Sequence, residues 1–296
     1  MTHRFVDAPR LPRFIAEQMP FERRAISIDE RRIHFVDEGA GQPVLLVHGN
    51  PTWSYLWRRV IADLRGLRSI APDLLGLGLS DKPLRVADHS LALHVQLITR
   101  LVEALDLSDV VLVGQDWGGP IAAGVATHLP GRVAGLVLAN TSVLRPARPF
   151  RSKAFHRFSH LPVLSDLAFR GLAFPVPVMD RVQGERRSIG PAEKAAYLWP
   201  LLRPWERAAP LALARMVPDR EGHPSLPLLD RIGTWVANYR GPAALVWGTR
   251  DPILGRALAR HRAALPQATV VETTAGHFLQ EEVPGVLAAA IRGLVS

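Results

Sequence analysis

The sequence contains no cysteine, which excludes disulfide bonds, thiolate nucleophiles and cysteine-ligated metal centres. Stability therefore has to come from packing. Lysine is also scarce: of the 36 basic residues only Lys82, Lys153 and Lys194 are Lys, and the rest are Arg. Tyrosine occurs only at Tyr55, Tyr197 and Tyr239, which restricts any chemistry that needs a pair of phenolic acids. No apolar run reaches the ~18 residues a membrane-spanning helix requires. Residues 1–20 carry Arg4, Arg10 and Arg13 without a continuous apolar segment or a small-residue cleavage site. They do not read as a signal peptide, and a cytoplasmic location is the default expectation.

What is present suits one large α/β domain with an inserted subdomain, because 296 residues at 48% hydrophobic content can bury a substantial core. The formal net charge of +9 raises the question of an anionic partner. The Arg excess is spread along the chain, with one local cluster at Arg145, Arg148, Arg151, Lys153 and Arg157. No aromatic-interleaved nucleic-acid motif accompanies it, so a solvated basic face is expected and nucleic acid is not an expected partner.

Residues 23–30 and 32–38 alternate as two antiparallel strands. Short, largely apolar strand-like runs then recur at 44–47, 69–73, 110–113, 133–140, 243–248 and 268–272, with helical spacing at 91–105, 121–128 and 283–295. This pattern predicts a mostly parallel, eight-stranded sheet flanked by helices. The rhythm breaks from Arg145 to Asp230, where Pro, Arg and large aromatics are frequent. That stretch reads as a helical cap (145–230) inserted into a core of 1–144 and 231–296.

Residues with chemical potential follow the apolar runs, at the strand ends where open α/β sheets assemble their sites. After 44–47 comes His48-Gly-Asn50-Pro51, in which Asn50 either offers a backbone N–H and an amide or is a plain turn residue before proline. Asp73 leads into a loop with Gly76 and Gly78, which lacks the rest of a phosphate-binding fingerprint. After 110–113 the chain must reverse within Gly114-Gln-Asp-Trp-Gly-Gly-Pro120. Gly114, Gly118 and Gly119 free the backbone there, and Pro120 is tolerated in a first helical turn, which leaves Asp116 at the apex. That is the strand–turn–helix setting of the α/β-hydrolase nucleophile elbow, with Asp in place of Ser.

His48-Gly-Asn-Pro-Thr-Trp53, Asp73-Leu-Leu-Gly-Leu-Gly-Leu-Ser80, Gln115-Asp-Trp-Gly-Gly-Pro120 and Ala275-Gly-His-Phe-Leu-Gln280 together resemble the haloalkane dehalogenases, from about Phe21 to the C-terminus. The resemblance implies an α/β-hydrolase fold and hydrolytic cleavage of carbon–halogen bonds, with Asp116 as nucleophile and His277 as base. One large group of that family carries its acid where this chain has Asn140, and an amide cannot stabilise an imidazolium by charge. Asp251, after 243–248, is then the expected acid, although an Asp before Pro252 also suits a helix cap or a turn. Asn50 and Trp117 match the halide-binding pair, and their backbone N–H groups the oxyanion hole. This set resembles the third subfamily of haloalkane dehalogenases. The implied partners are a small apolar halogenated substrate, water and a halide ion, with no cofactor; a homo-oligomer is compatible with the sequence.

Phe150, Phe155, Phe174, Trp199, Phe278 and Leu279 are expected to line an apolar pocket, although a cap aromatic can equally serve the cap's own core, as can Phe158, Phe169 and Trp205. His156 and His160 are spaced like a helical metal pair but lack a third ligand, so no metal is expected. An epoxide hydrolase shares the Asp, His and acid but needs two cap tyrosines, and only Tyr197 falls in the cap. A non-catalytic small-molecule-binding protein is the alternative of another class, against which every triad position holds a competent residue.

Overall fold

The structure is a computed structural model that describes residues 3–145 and 154–295. Its strands are β1 (His3–Val6), β2 (Arg23–Ile28), β3 (Arg31–Glu38), β4 (Pro43–Val47), β5 (Arg68–Pro72), β6 (Val110–Asp116), β7 (Val133–Thr141), β8 (Ala243–Gly248) and β9 (Thr269–Thr273). They form one sheet in the order β1-β2-β3-β5-β4-β6-β7-β8-β9. The pairs β1·β2, β2·β3 and β3·β5 are antiparallel, and every pair from β5 to β9 is parallel.

The apolar runs are strands because helices cover both faces of the sheet. Alternate side chains of one run enter different cores: Leu45, Leu112, Leu138 and Leu245 pack on one side, and Leu46, Val113, Val137 and Val246 on the other. A strand buried on both faces needs no polar alternation.

The sheet has nine strands where eight are expected from the sequence, and the additional one is β1. Its side chains are mostly exposed, and it is held at the edge by backbone pairing with β2 and by Arg24, whose guanidinium lies 4.6 Å from the Phe5 ring centroid. Such an edge strand buries no face and so leaves no hydrophobic pattern to read.

Between β7 and β8 the described residues form helical pieces and no strand, among them Ala154–Ser159, Val176–Val182, Pro191–Leu198 and Ala208–Arg215. Pro191 and Pro204 open their pieces at the first position, where a missing N–H costs nothing, and Pro200 comes just after the end of Pro191–Leu198. Phe169 is fully buried here with Leu211 and Ala214, edge-on to Phe174 at 5.2 Å between ring centroids. The expected division at residue 230 falls inside a longer helix, Leu226–Asn238. Its Leu229, Ile232 and Val236 share a core with Ile121 and Val125 of the helix Gly118–His128, so the helix flanks the sheet. Among the described residues no helix is long and apolar enough to cross a membrane.

Candidate active site

β6 ends on Asp116, whose φ of +51° lies in the left-handed region that a side chain other than glycine's seldom adopts. The turn is held from both sides. Thr141 Oγ at the end of β7 donates to the Asp116 carbonyl at 2.5 Å, and Gly118 packs against the Val47 and His48 carbonyls, where a Cβ would collide. Gly49 is needed for a related reason, since a Cβ there would overlap the Asp116 side chain. That close approach lets the Asn50 backbone N–H donate to Asp116 Oδ1 at 2.9 Å, and the Trp117 backbone N–H bonds the same carboxyl group.

His277, in the loop after β9, faces the other carboxylate oxygen, with Nε2 3.7 Å from Asp116 Oδ2. Its Nδ1 pairs with Asp251 Oδ2 at 3.0 Å, and both residues are buried. Asp251 also forms the local turn considered for it in the sequence: Oδ1 accepts from the Ile253 N–H at 2.7 Å while Oδ2 serves the histidine. Asn140 sits close by without touching the imidazole. Its Nδ2 donates to the carbonyls of Gly276 (2.7 Å) and His277 (3.2 Å), and its Oδ1 accepts from the Gly248 N–H at 2.8 Å, so it ties β8 to the histidine loop.

Several residues that hold this arrangement have no counterpart in the sequence reading. Gln115 is fully buried with Nε2 3.3 Å from His277 Nε2, and it donates to the His277 carbonyl at 3.1 Å. Gln183 brackets Phe278, accepting from its N–H at 2.9 Å and donating to its carbonyl at 3.2 Å. The Glu282 carboxylate accepts from the N–H groups of Gly276, Gly184 and Glu185. Arg58 grips Glu281 with two hydrogen bonds of 2.6 and 2.9 Å, and Tyr197 Oη donates to the same carboxylate, which fixes the turn just beyond the histidine. Gln115 alone left a signal, as a polar residue in a strand otherwise buried on both faces.

A cavity of about 680 Å³ opens above Asp116. Asn50, Trp117 and His277 line it beside the carboxylate, and Phe155, Phe174 and Phe278 are also among its lining residues. Trp199 and Leu279 do not line it. Both belong to the core below: Leu279 is fully buried because the chain turns into the helix Leu279–Glu282 directly after Phe278, and Trp199 packs against the same cluster. Phe150 lies outside the described residues, as do Arg148, Arg151, Lys153 and the side chain of His156. No tyrosine lines the cavity. Among the described residues, the Trp117 indole N–H bonds no protein group, and Asn50 Nδ2 spends one of its two hydrogens on the Pro210 carbonyl at 3.0 Å.

Electrostatics separate the two carboxylates. Burial pushes Asp116 up, and the nearby His277 charge and the backbone N–H groups of Asn50 and Trp117 only partly offset this, so its pKa stays above the ordinary carboxylate value. Burial opposes ionisation of Asp251 too, but the His277 charge and hydrogen bond outweigh it and hold the acid below its usual range. For His277, burial favours the neutral ring, while Asp251 and then Asp116 outweigh it, raising the pKa above its ordinary value.

Comparison with known proteins bears on this geometry. A family model described as the alpha/beta hydrolase fold matches residues 42–174. The chain is 36% identical over 278 residues to haloalkane dehalogenase 2 of Mycobacterium bovis, covering 92% of this chain and 94% of that protein. Among solved structures it resembles haloalkane dehalogenase DbeA from Bradyrhizobium elkani, with a TM-score of 0.82, 26% identity, and 93% and 98% of the two chains covered. It also matches the fold of the tetrameric haloalkane dehalogenase DpaA from Paraglaciecola agarilytica, with a TM-score of 0.81, 23% identity and 97% of each chain covered.

Proposed function

The chain belongs to the haloalkane dehalogenase family of α/β hydrolases, which act on carbon–halogen bonds, and we propose that it works through a covalent alkyl ester on Asp116. The carboxylate oxygen facing the cavity attacks the halogenated carbon from the side opposite the halogen. A C–O bond forms, the carbon–halogen bond breaks, and the halide leaves with the bonding electron pair. Trp117 Nε1–H and the second Nδ2–H of Asn50 are the donors proposed for the departing halide, whose charge grows in an apolar cavity where such donors count most.

His277 then takes a proton from water, and the hydroxide attacks the ester carbonyl. Asp251 orients the imidazole and stabilises its charged form. The negative charge that develops on the ester oxygen lies between the backbone N–H groups of Asn50 and Trp117, which already bind the free carboxylate. Collapse of this intermediate releases the alcohol and restores Asp116, for an overall conversion of haloalkane and water to alcohol, halide and a proton. We assign the chain to the Asp-His-Asp arrangement of the third subfamily.

The observation that carries this reading is the Asp116 carboxyl group, held at a strained elbow between two backbone donors on one side and the His277–Asp251 pair on the other. An epoxide hydrolase would need phenolic donors in the cavity; Tyr197, the only tyrosine of the expected cap, is buried against Glu281 instead. The test is His277→Phe with a bromoalkane. One halide should be released per chain, and intact-protein mass spectrometry should find the alkyl group on Asp116. An unmodified protein, or an adduct on another residue, would remove Asp116 from its role.

A further inference from the structure

The cavity is not apolar throughout. Beside Phe174, Val178, Met179 and Leu229 it is lined by two arginines, Arg256 and Arg260. Both follow Asp251 on the β8 side: Arg256 lies in the turn Gly255–Ala257 and Arg260 in the helix Leu258–Ala264, one helical turn further on. That spacing of four puts the two side chains on one face.

Among the described residues neither cation has an ion-pair partner. Arg260 is half-buried, and its hydrogen bonds go to uncharged acceptors, the Arg145 carbonyl at 2.9 Å and Ser142 Oγ at 3.1 Å. Arg256 is exposed and forms no ion pair among the described residues, and the segment 146–153 contains no Asp or Glu. The one acid on this part of the cavity wall, Asp219, is 3.0 Å from Arg220 and so already has a counter-charge. Burial without a counter-ion pushes the Arg260 guanidinium pKa down, the sign of a charge lacking its anion. A half-buried Arg facing a substrate cavity costs desolvation that a purely apolar substrate never repays. A ligand carboxylate would accept the free N–H groups of the fork, the pairing for which guanidinium geometry is best suited.

Arg260 is tied to the same wall as the nucleophile. It bonds Ser142, which directly follows Thr141, the residue whose hydroxyl supports the Asp116 carbonyl. Arg256, Arg260 and Asp116 all line this one cavity, together with apolar side chains suited to a methylene spacer.

We infer that Arg256 and Arg260 form an anion subsite in the substrate cavity, and that the enzyme takes haloalkanes carrying a carboxylate at the end remote from the halogen. This rests on the dehalogenation chemistry proposed above and specifies its substrate class. The halogenated carbon meets Asp116, the chain lies against Phe174 and Met179, and the carboxylate meets the two Arg.

The test measures bromide release from ω-bromoalkanoates of four to eight carbons, from their methyl esters, and from the corresponding 1-bromoalkanes. At the chain length that spans the cavity, kcat/KM should favour the carboxylate over its methyl ester. Arg256→Gln, which disturbs no hydrogen bond in the structure, should lower that ratio about tenfold, the effect of losing a hydrogen bond to a charged group. Arg260→Gln should lower it as well, and Arg260→Lys, which keeps the charge, should restore part of it. A purely structural role for Arg260 would change the rates of carboxylate and ester alike. If esters and carboxylates react equally at every length and Arg256→Gln leaves the ratio unchanged, the anion subsite is refuted while bromoalkane turnover keeps the dehalogenase reading intact. If no bromide of any kind is released, both readings fall.

Discussion

Asp251→Asn isolates the charge in the proposed triad. The amide fills the same space, and its oxygen can still accept from the Ile253 N–H that now bonds Oδ1 at 2.7 Å. What is lost is a full negative charge 3.0 Å from His277 Nδ1, in a place where both residues are buried and water does not screen the pair. The amide can also present its NH₂ to Nδ1 and impose the wrong tautomer, with Nε2 protonated and unable to accept. By analogy with the same substitution in a serine triad, hydrolysis of the ester should slow by about 10⁴, or about 5.5 kcal/mol. Alkylation needs no base and should slow far less, so halide should appear as a burst of about one per chain, followed by a slow phase. Rapid-quench halide release and time-resolved intact-protein mass spectrometry read the two steps separately. Asp251 is also the main group raising the His277 pKa against burial. Hydrolysis, which requires neutral His277, is lost as pH falls through that pKa, and in the variant the loss should move to lower pH. Equal slowing of burst and hydrolysis, or hydrolysis within about tenfold of the parent, would show that Asp251 is not the acid.

Trp117→Phe removes one halide donor and Asn50→Ala the other. Each should lose about 2–4 kcal/mol of transition-state stabilisation in the alkylation step, as for single oxyanion donors, and bromide quenching of Trp117 fluorescence should weaken in Asn50→Ala. Parent-like alkylation rates in both variants would exclude the pair. Asn140→Ala strands three backbone partners, Gly276, His277 and Gly248. It should therefore destabilise the fold by about 1–3 kcal/mol in urea melts, with activity falling only as far as the loop loosens; an unchanged melt would deny Asn140 its structural role. Because burial raises the Asp116 pKa, the halide burst should fade as pH drops through a value above the ordinary carboxylate range, and a burst that persists below that range would contradict the raised value.

That Asp116, Asn50, Asp251 and His277 come together was legible because each lies at or just beyond the carboxyl end of an apolar run, and a parallel sheet gathers such ends at one edge. The proposal of Asp251 over Asn140 as the acid also rests on residue type, since only one of the two can carry charge, and Asp251 is the one that meets His277 Nδ1. What could not be read is whatever depends on pairing across long separations. Gln183 meets Phe278 from 95 residues away, and Asn50 donates to Pro210 across 160. No local periodicity encodes such contacts. The same limit explains Trp199 and Leu279: an apolar residue near a site looks alike whether it faces the cavity or the core, and only the turn after Phe278 decides. β1 was invisible for the opposite reason, as it buries too little to leave any pattern.

The 3.7 Å separation between His277 Nε2 and Asp116 Oδ2 has a consequence for timing. While Asp116 is free, its charge helps hold a proton on His277, which makes the ring a poor base at a stage when no base is wanted. Alkylation, as proposed, would turn that carboxylate into a neutral ester and withdraw one of the two charges that raise the histidine's pKa. The proton is then held less tightly at the moment a water molecule must be activated. In the mechanism proposed here the substrate helps arm its own hydrolysis: the first bond made to the enzyme removes one of the charges that hold the proton on the base that will break it.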